Sequence, residues 1–313
     1  MTAPQSQRPF RFGVQGRTTG PGAAWLDMVR KVEASGYSTF LALDHFVRGF
    51  DPIAELAAAA AITSRLRVGS LVFDNDFRHP ALLAKAVASI DVISGGRFEF
   101  GLGAGWLKEE YDQSGIPFDP AGVRIERMVE ALHLIKQTFV EEQTTFHGKY
   151  YQVTDLILPP KPVQQPHPPI VIGGGSKKVL SIAAQEADIV SITTRALPDG
   201  AKDFHDMTAV ATERKINWVR EAAGARFPDL EFNVMSTSVE ITNDRDAAAQ
   251  RLASQFGLAP DEILDSPTVL IGTPDQIADT LIDRRDRFGI SYITVLEGVY
   301  EEFAPVVEIL AGT

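Results

Sequence analysis

The sequence predicts an α/β protein, a (β/α)8 TIM barrel, on three observations. Strand-like and helix-like segments alternate along nearly all of its 313 residues, the pattern of a parallel sheet covered by helices. The strand candidates number eight, enough to close that sheet on itself. The third is Arg97–Trp106, RFEFGLGAGW, a strand that turns to glycine near its C-terminal end, where a barrel carries its site. A doubly wound open sheet is the alternative architecture for the same alternation.

The elements follow in order. Phe10–Gln15 is a strand, and Ala23–Ala34 a helix stopped at Ser35–Gly36. Thr39–Asp44 is the second strand, with a helix from Pro52 to Thr63. Arg67–Phe73 is the third, and Pro80, a favoured first-turn residue, opens the next helix. Arg97–Gly103 is the fourth, followed by a helix over Val123–Val140. Ile170–Ile172, Ala187–Thr193, Glu231–Val239 and Ser291–Leu296 complete the eight. Helical patterns at Lys177–Gln185, Asp203–Ala223, Asp246–Gln255 and Pro274–Phe288 intervene. Two stretches break the rhythm: the proline-rich insertion Glu141–Pro169 after strand four, and Gly257–Gly272 near the C-terminus. Long connections without regular structure are commonly functional. Because barrel elements resume after each, the expectation is one domain over residues 1–313, with 1–9 a flexible lead-in and 141–169 an insertion.

Composition narrows the class. Hydrophobic residues make up 44% and charged residues 23% of the chain, an ordinary globular balance. No apolar run reaches membrane-spanning length, and MTAPQSQRPF lacks the features of a signal peptide. The absence of cysteine removes disulfides and thiolate metal sites. A net charge of −11 argues against nucleic acid or an anionic membrane as partner. A cytoplasmic location is the expectation.

The strand ends select the candidate residues. In RFEFGLGAGW, Gly101, Gly103 and Gly105 share one parity, so one face of the strand is bare backbone. A strand gives up side chains like this where something approaches its backbone closely: the plainer reading is a β-bulge or a tight strand-to-helix turn, the sharper one the floor of a site for a flat, bulky ligand. IGGGSKK, Ile172–Lys178, leads through Gly173, Gly174 and Gly175 to Ser176 and a helix. Bare amides at a helix N-terminus favour an anion, and the Ser176 and Thr193 hydroxyls are placed to complete a phosphate cradle. His45 follows Asp44 at the end of strand two, and an imidazole at a strand mouth suits proton exchange; a merely hydrogen-bonded loop histidine is the plainer reading. The remaining histidines are scattered, so no metal site is expected. His133 reads as partly buried in its helix, Asp74–Asn75–Asp76 as a polar loop, and Glu109–Glu110 as a solvated pair.

RLRVGS near Arg65–Ser70, RHPALLAKAVASIDVISGGRFEFGLGAGWLKEEYDQSGIPF at Arg78–Phe118, PKPVQQPHPPIVIGGGS, GTPDQIADTL and the closing SYITVLEG together resemble the luciferase-like flavin and deazaflavin oxidoreductases. DHF at Asp44–Phe46 is similar to the branch that uses the deazaflavin coenzyme F420; other members use FMN. The resemblance implies a non-proline cis peptide and bulge at Ser70–Leu71 propping the cofactor ring, with Ala104 and Gly105 lining it. It implies phosphate contacts from Gly174, Gly175 and Thr193, a cofactor contact from Asp44, and His45 as the proton-exchanging residue. Trp106 stands where the glucose 6-phosphate branch has a glutamate, and Gly49 where it has an aromatic. An indole exchanges no proton, so Trp106 is expected to wall a substrate pocket for a flat, apolar molecule. The expected activity is hydride transfer between F420 and a small organic substrate, more as a reductase. The alternatives are an FMN-dependent monooxygenase supplied by a separate reductase, and a flavin-binding protein without catalysis. The alanine-rich second and third helices, together with the resemblance, imply a homodimer.

Overall fold

The computed structural model describes residues 8–17, 19–197 and 202–313. Its fold is a closed barrel of eight parallel strands with surrounding helices. The chain's contacts gather into two units: Gly16–Arg30 with Thr39–Ile172, and the described residues to Gln15 with Lys31–Ser38 and Gly173–Thr313.

In the first unit, strand Thr39–Ala42 pairs with Arg67–Ser70, which pairs in turn with Phe98–Gly103; the latter pairs on its other side with Ile170–Ile172. All six residues of Phe98–Gly103 are buried, as expected for a parallel strand covered on both faces. Helix Pro52–Ile62 starts with proline at its first turn and Asp51 accepting the amides of Ile53 and Ala54 at 3.1 and 3.0 Å, satisfying groups the helix leaves open. Helix Pro80–Ser94 is capped by the His79 ring and stopped by Gly95 in the left-handed region. Leu56, Leu83 and Val87 from these helices pack in the core with Phe40, Phe73 and Phe100.

Three expectations change here. The third strand is not continuous: after Arg67–Ser70 the chain turns and re-enters as Phe73–Asp74, beside Leu102 and Gly103. The insertion at 141–169 carries its own antiparallel hairpin, Thr144–His147 with Gln152–Leu156. Glu130 organises its turn, taking the amides of Tyr150 and Tyr151 at 2.7 Å each and that of Lys149 at 2.8 Å. Finally, His133 is exposed rather than partly buried, because the buried stripe of helix Ala121–Val140 runs through Arg124, Ile125, Met128 and Leu132.

In the second unit, Arg11–Gln15 pairs with Ile290–Leu296, which pairs with Glu231–Met235, itself beside Ile189–Ile192. Inside these strands Asn233 receives the Ser191 hydroxyl at 2.8 Å and donates to Thr294 at 2.9 Å, so this buried polar group is satisfied. The predicted strand 231–239 divides at Ser236–Thr237, where the amides change partners from Thr294 to Thr268. The following segment, Ser238–Ile241, joins Val269–Gly272 in a separate parallel pair. Two helices, Pro260–Asp265 and Tyr300–Leu310, were not anticipated. Of the lead-in, residues 1–7 lie outside the described residues; Arg8 donates to the Asp229 carbonyl at 2.5 Å and the Phe10 amide to that of Thr313 at 3.0 Å. Among the described residues no helix is long and apolar enough to cross a membrane.

Candidate functional site

The bare face of RFEFGLGAGW is filled by the chain itself. A Cβ on Gly101 would lie 2.0 Å from the Ser70 carbonyl oxygen, and one on Gly103 2.6 Å from Val72 Cγ2. Ser70 fixes this approach: its hydroxyl takes the Gly101 amide at 3.0 Å and donates to the Gly101 carbonyl at 2.9 Å. The turn after the neighbouring strand, and not a bulge in this one, occupies the face at these glycines. The cis peptide is also displaced by one residue from the expected Ser70–Leu71 bond; it joins Leu71 to Val72. The reason is local: Leu71 still donates its amide to Ala42 at 2.8 Å, so the ladder runs one residue further before the chain turns.

Beyond the strand, Ala104 and Gly105 are held by their carbonyls. The buried Arg124 guanidinium donates to Ala104 O at 3.1 Å and to Gly105 O at 3.3 Å. Gly105 has φ +72°, and a Cβ there would fall 1.8 Å from the Tyr111 hydroxyl; glycine is demanded on both counts. Tyr111 is fully buried and donates to Asp74, 2.9 Å from each carboxylate oxygen. Asp74, Asn75 and Asp76 are thus no solvated loop. Arg127 grips Asp76 with two bonds of 2.8 and 2.7 Å, and Asn75 reaches the Tyr151 hydroxyl at 3.1 Å. Burial pushes the Asp74 carboxyl up to about 7, with the nearby Asp76 and Asp44 charges adding to the rise and the Asp76 amide and Tyr111 hydroxyl opposing it.

His45 sits where strand two ends. Its Nδ1 lies 2.7 Å from Glu110 Oε2, and the other Glu110 oxygen takes the Val47 amide at 3.3 Å. The Glu110 side chain is only 2% exposed, which corrects the expectation of a solvated Glu109–Glu110 pair: a short helix, Lys108–Ser114, turns Glu110 and Tyr111 inward and leaves Glu109 outside. The Trp106 ring meets the His45 ring edge to face, centroids 5.9 Å apart. Next to His45, the exposed Phe46 packs on Phe77 at 4.5 Å. Asp44 faces away from this apolar group into a buried ion pair: both its oxygens bind the Arg78 guanidinium, and one also takes the Asp74 amide at 2.9 Å.

The second unit holds the other candidates. Gly174 and Gly175 are required by their own surroundings, since added Cβ atoms would meet Val179 Cγ1 at 2.5 Å and Arg195 N at 2.6 Å. At Gly173 a Cβ would find only ordinary contact with Ser191. Ser176 caps helix Lys177–Glu186 by accepting the Val179 amide at 3.4 Å, and the Thr193 amide bonds Gly174 O at 3.1 Å. Gly175 and Ser176 line a cavity of about 410 Å³ with Lys177, Arg195, Arg214, Asp206 and Trp218. The helix N-terminus and three cations, which are ion-paired as Lys177–Glu221 at 3.6 Å, Arg195–Asp203 at 2.7 Å and Arg214–Asp206 at 3.0 Å, are the donors this cavity offers an anion. Underneath, the buried Lys215 ammonium bonds the Thr193 carbonyl at 2.8 Å and lies 2.7 Å from Asp206; burial lowers its pKa, against the opposing pull of Asp206. Among the described residues no three acidic or histidine side chains converge as a metal site would need.

Sequence reasoning missed Glu110, Tyr111, Arg78, Arg124 and Arg127. For Arg124 a signal existed: it falls on the apolar stripe of its helix with Ile125 and Met128. For Glu110 there was none, because a seven-residue helix is too short to show a period.

A profile of the luciferase-like monooxygenase family matches residues 8–258. An FMNH(2)-dependent dimethylsulfone monooxygenase from Pseudomonas putida is 32% identical over 162 residues, 50% of this chain and 44% of that protein. An F420-dependent glucose-6-phosphate dehydrogenase from Kineococcus radiotolerans is 35% identical over 157 residues, 48% of this chain and 46% of the other. The match to each covers about half the length of the relative. Among solved structures, the coenzyme F420-dependent tetrahydromethanopterin reductase from Methanopyrus kandleri aligns at a TM-score of 0.74 and 18% identity, covering 96% of this chain and 97% of its own. A long-chain alkane monooxygenase aligns at 0.77 and 14%, covering 96% and 91%; at such identities the likeness speaks for the fold. The chain belongs to the luciferase-like monooxygenase family.

Proposed function

We propose that the protein is an F420-dependent oxidoreductase that reduces a small organic substrate. The observation that carries the reading is His45, a titratable ring at a strand end, braced by a buried carboxylate and flanked by Trp106. The deazaflavin would supply the hydride. In one unit Lys177, Arg195, Arg214 and the Ser176 helix N-terminus are the groups that would bind a phosphate; in the other, Ala104 and Gly105, fixed by Arg124, and the Ser70–Leu71–Val72 turn are the groups that would meet a ring. Asp44 would reach the cofactor through the segment it organises, and Gly173, Gly174, Gly175 and Thr193 through their backbone. The chain's own work is then to orient the substrate against Trp106, Phe46 and Phe77 and to exchange a proton at His45. Trp106 disfavours sugar phosphates, for it offers neither charge nor proton. One domain, a homodimer and a cytoplasmic location belong to the same proposal.

FMN-dependent oxygenation is the second reading, favoured by the dimethylsulfone monooxygenase relative and by the aromatic surroundings of His45. Fluorescence titration of the apo-protein with F420 and FMN separates the two. Low-micromolar F420 binding with FMN at least about tenfold weaker is expected; micromolar FMN binding with none for F420 would overturn the choice.

A further inference from the structure

We propose that Glu110 is the positioning residue for His45, fixing the imidazole as its Nδ1–H tautomer so that Nε2 is the nitrogen that exchanges the proton. This inference rests on the proposed role of His45. Three observations carry it.

The first is contact. Glu110 reaches the His45 segment twice, through Nδ1 at 2.7 Å and through the Val47 amide at 3.3 Å. An ionised carboxylate only accepts hydrogen bonds, so the nitrogen it touches must carry the proton. The second is placement. Glu110 is buried while His45 keeps 18% of its side chain exposed, so the carboxylate lies behind the ring and does not compete for substrate. The third is rigidity. The neighbouring residue on the same short helix, Tyr111, is pinned to Asp74 and packed against Phe77 and Phe118 at 5.4 and 4.9 Å. Trp106 lies edge to face against the imidazole, centroids 5.9 Å apart. A buried carboxylate that orients a histidine in this manner selects its tautomer.

The consequence for the reaction is definite. A bound reduced deazaflavin would supply a hydride, itself being left oxidised; the hydride's electron pair would become the new C–H bond at one end of an activated double bond, and the π pair of that double bond would move to the other end as negative charge. That end takes the proton from Nε2–H of the imidazolium; the N–H bond breaks and its electron pair stays on Nε2. Nδ1–H remains on Glu110 throughout, and solvent later restores the proton to Nε2.

The test begins with the apo-protein. Imidazole 15N and 13C shifts, assigned to His45 by comparison with His45→Ala, are expected to show a protonated Nδ1 in the neutral ring. A neutral His45 protonated at Nε2 overturns the proposal whatever the enzyme's activity. In Glu110→Gln, whose amide can also donate, the tautomer is expected to shift toward Nε2–H. Its kcat should fall about 10²-fold or more with F420 affinity within a factor of about two, and Glu110→Asp should recover part of the loss. Unchanged tautomer and kcat in folded Glu110→Gln also refutes the positioning role. Should His45→Ala retain full turnover while the wild-type ring is Nδ1–H, the role of His45 fails and the positioning geometry stands.

Discussion

Ser70 and Gly101 are joined by two hydrogen bonds through a single hydroxyl, which takes the glycine's amide and donates to its carbonyl. The clasp brings the Ser70 carbonyl to where a Gly101 side chain would begin. Backbone has no rotamer with which to yield, so Gly101→Ala is expected to cost about 3 kcal/mol or more. Gly298→Ala, where nothing lies within 4 Å, is the control, expected within about 0.5 kcal/mol. Urea unfolding of the two variants checks the contrast; equal midpoints would refute it.

Arg78 neutralises Asp44, whose side chain is 4% exposed. Removing the guanidinium leaves a buried, uncompensated carboxylate, so Arg78→Ala should destabilise by about 3–5 kcal/mol. The double variant with Asp44→Asn should recover much of that, because no charge is then stranded. A double-mutant cycle with additive losses would count against the pairing.

Asp74 gives the fold a pH dependence. Its folded carboxyl titrates near 7, well above the ordinary range for an aspartate in an unfolded chain. The folded state thus binds this proton more tightly than the unfolded one. Its contribution is fully present below the unfolded value near 4 and is lost as pH rises through about 7, at up to about 1.4 kcal/mol per pH unit. Asp74→Asn, which cannot ionise, should flatten this dependence between about pH 4 and 7. Denaturation curves at pH 5 and 8 measure it; an equal difference in both proteins would exclude Asp74 as the source.

For the site itself, His45→Ala should reduce turnover about 10²–10⁴-fold with cofactor affinity nearly unchanged. Trp106→Ala should raise KM for apolar substrates about tenfold, as expected for losing an aromatic wall. Steady-state kinetics on a panel of activated alkenes and ketones would read both. A Trp106→Glu variant with unimpaired KM would show that the indole does not wall the substrate pocket.

Much of this was legible in the sequence, and the limits follow from physics. Alternation and proline or glycine punctuation located all eight barrel strands, because each is a local signal. The end of the third strand was misread since Leu71–Val72–Phe73 continues the apolar run while the backbone turns away. His45, Trp106 and the Gly173–Ser176 turn could be marked as candidates by type and position. What holds His45 could not be, since Glu110 is 65 residues away in sequence. Glu109 and Glu110 are the same letter, and only the rotation of one short helix distinguishes a solvated carboxylate from a buried one.

The glycine-packed strand end also bears on how such an enzyme can be redesigned. Gly101, Gly103 and Gly105 are locked by the Ser70 carbonyl, Val72 and Tyr111, so variation there is spent on unfolded protein. Phe46 is exposed and Trp106 partly so, whereas Phe77 packs on Tyr111. A combinatorial library confined to Phe46 and Trp106 would explore new substrates on an unchanged scaffold, and a library spread evenly over Arg97–Trp106 would mostly sample failure.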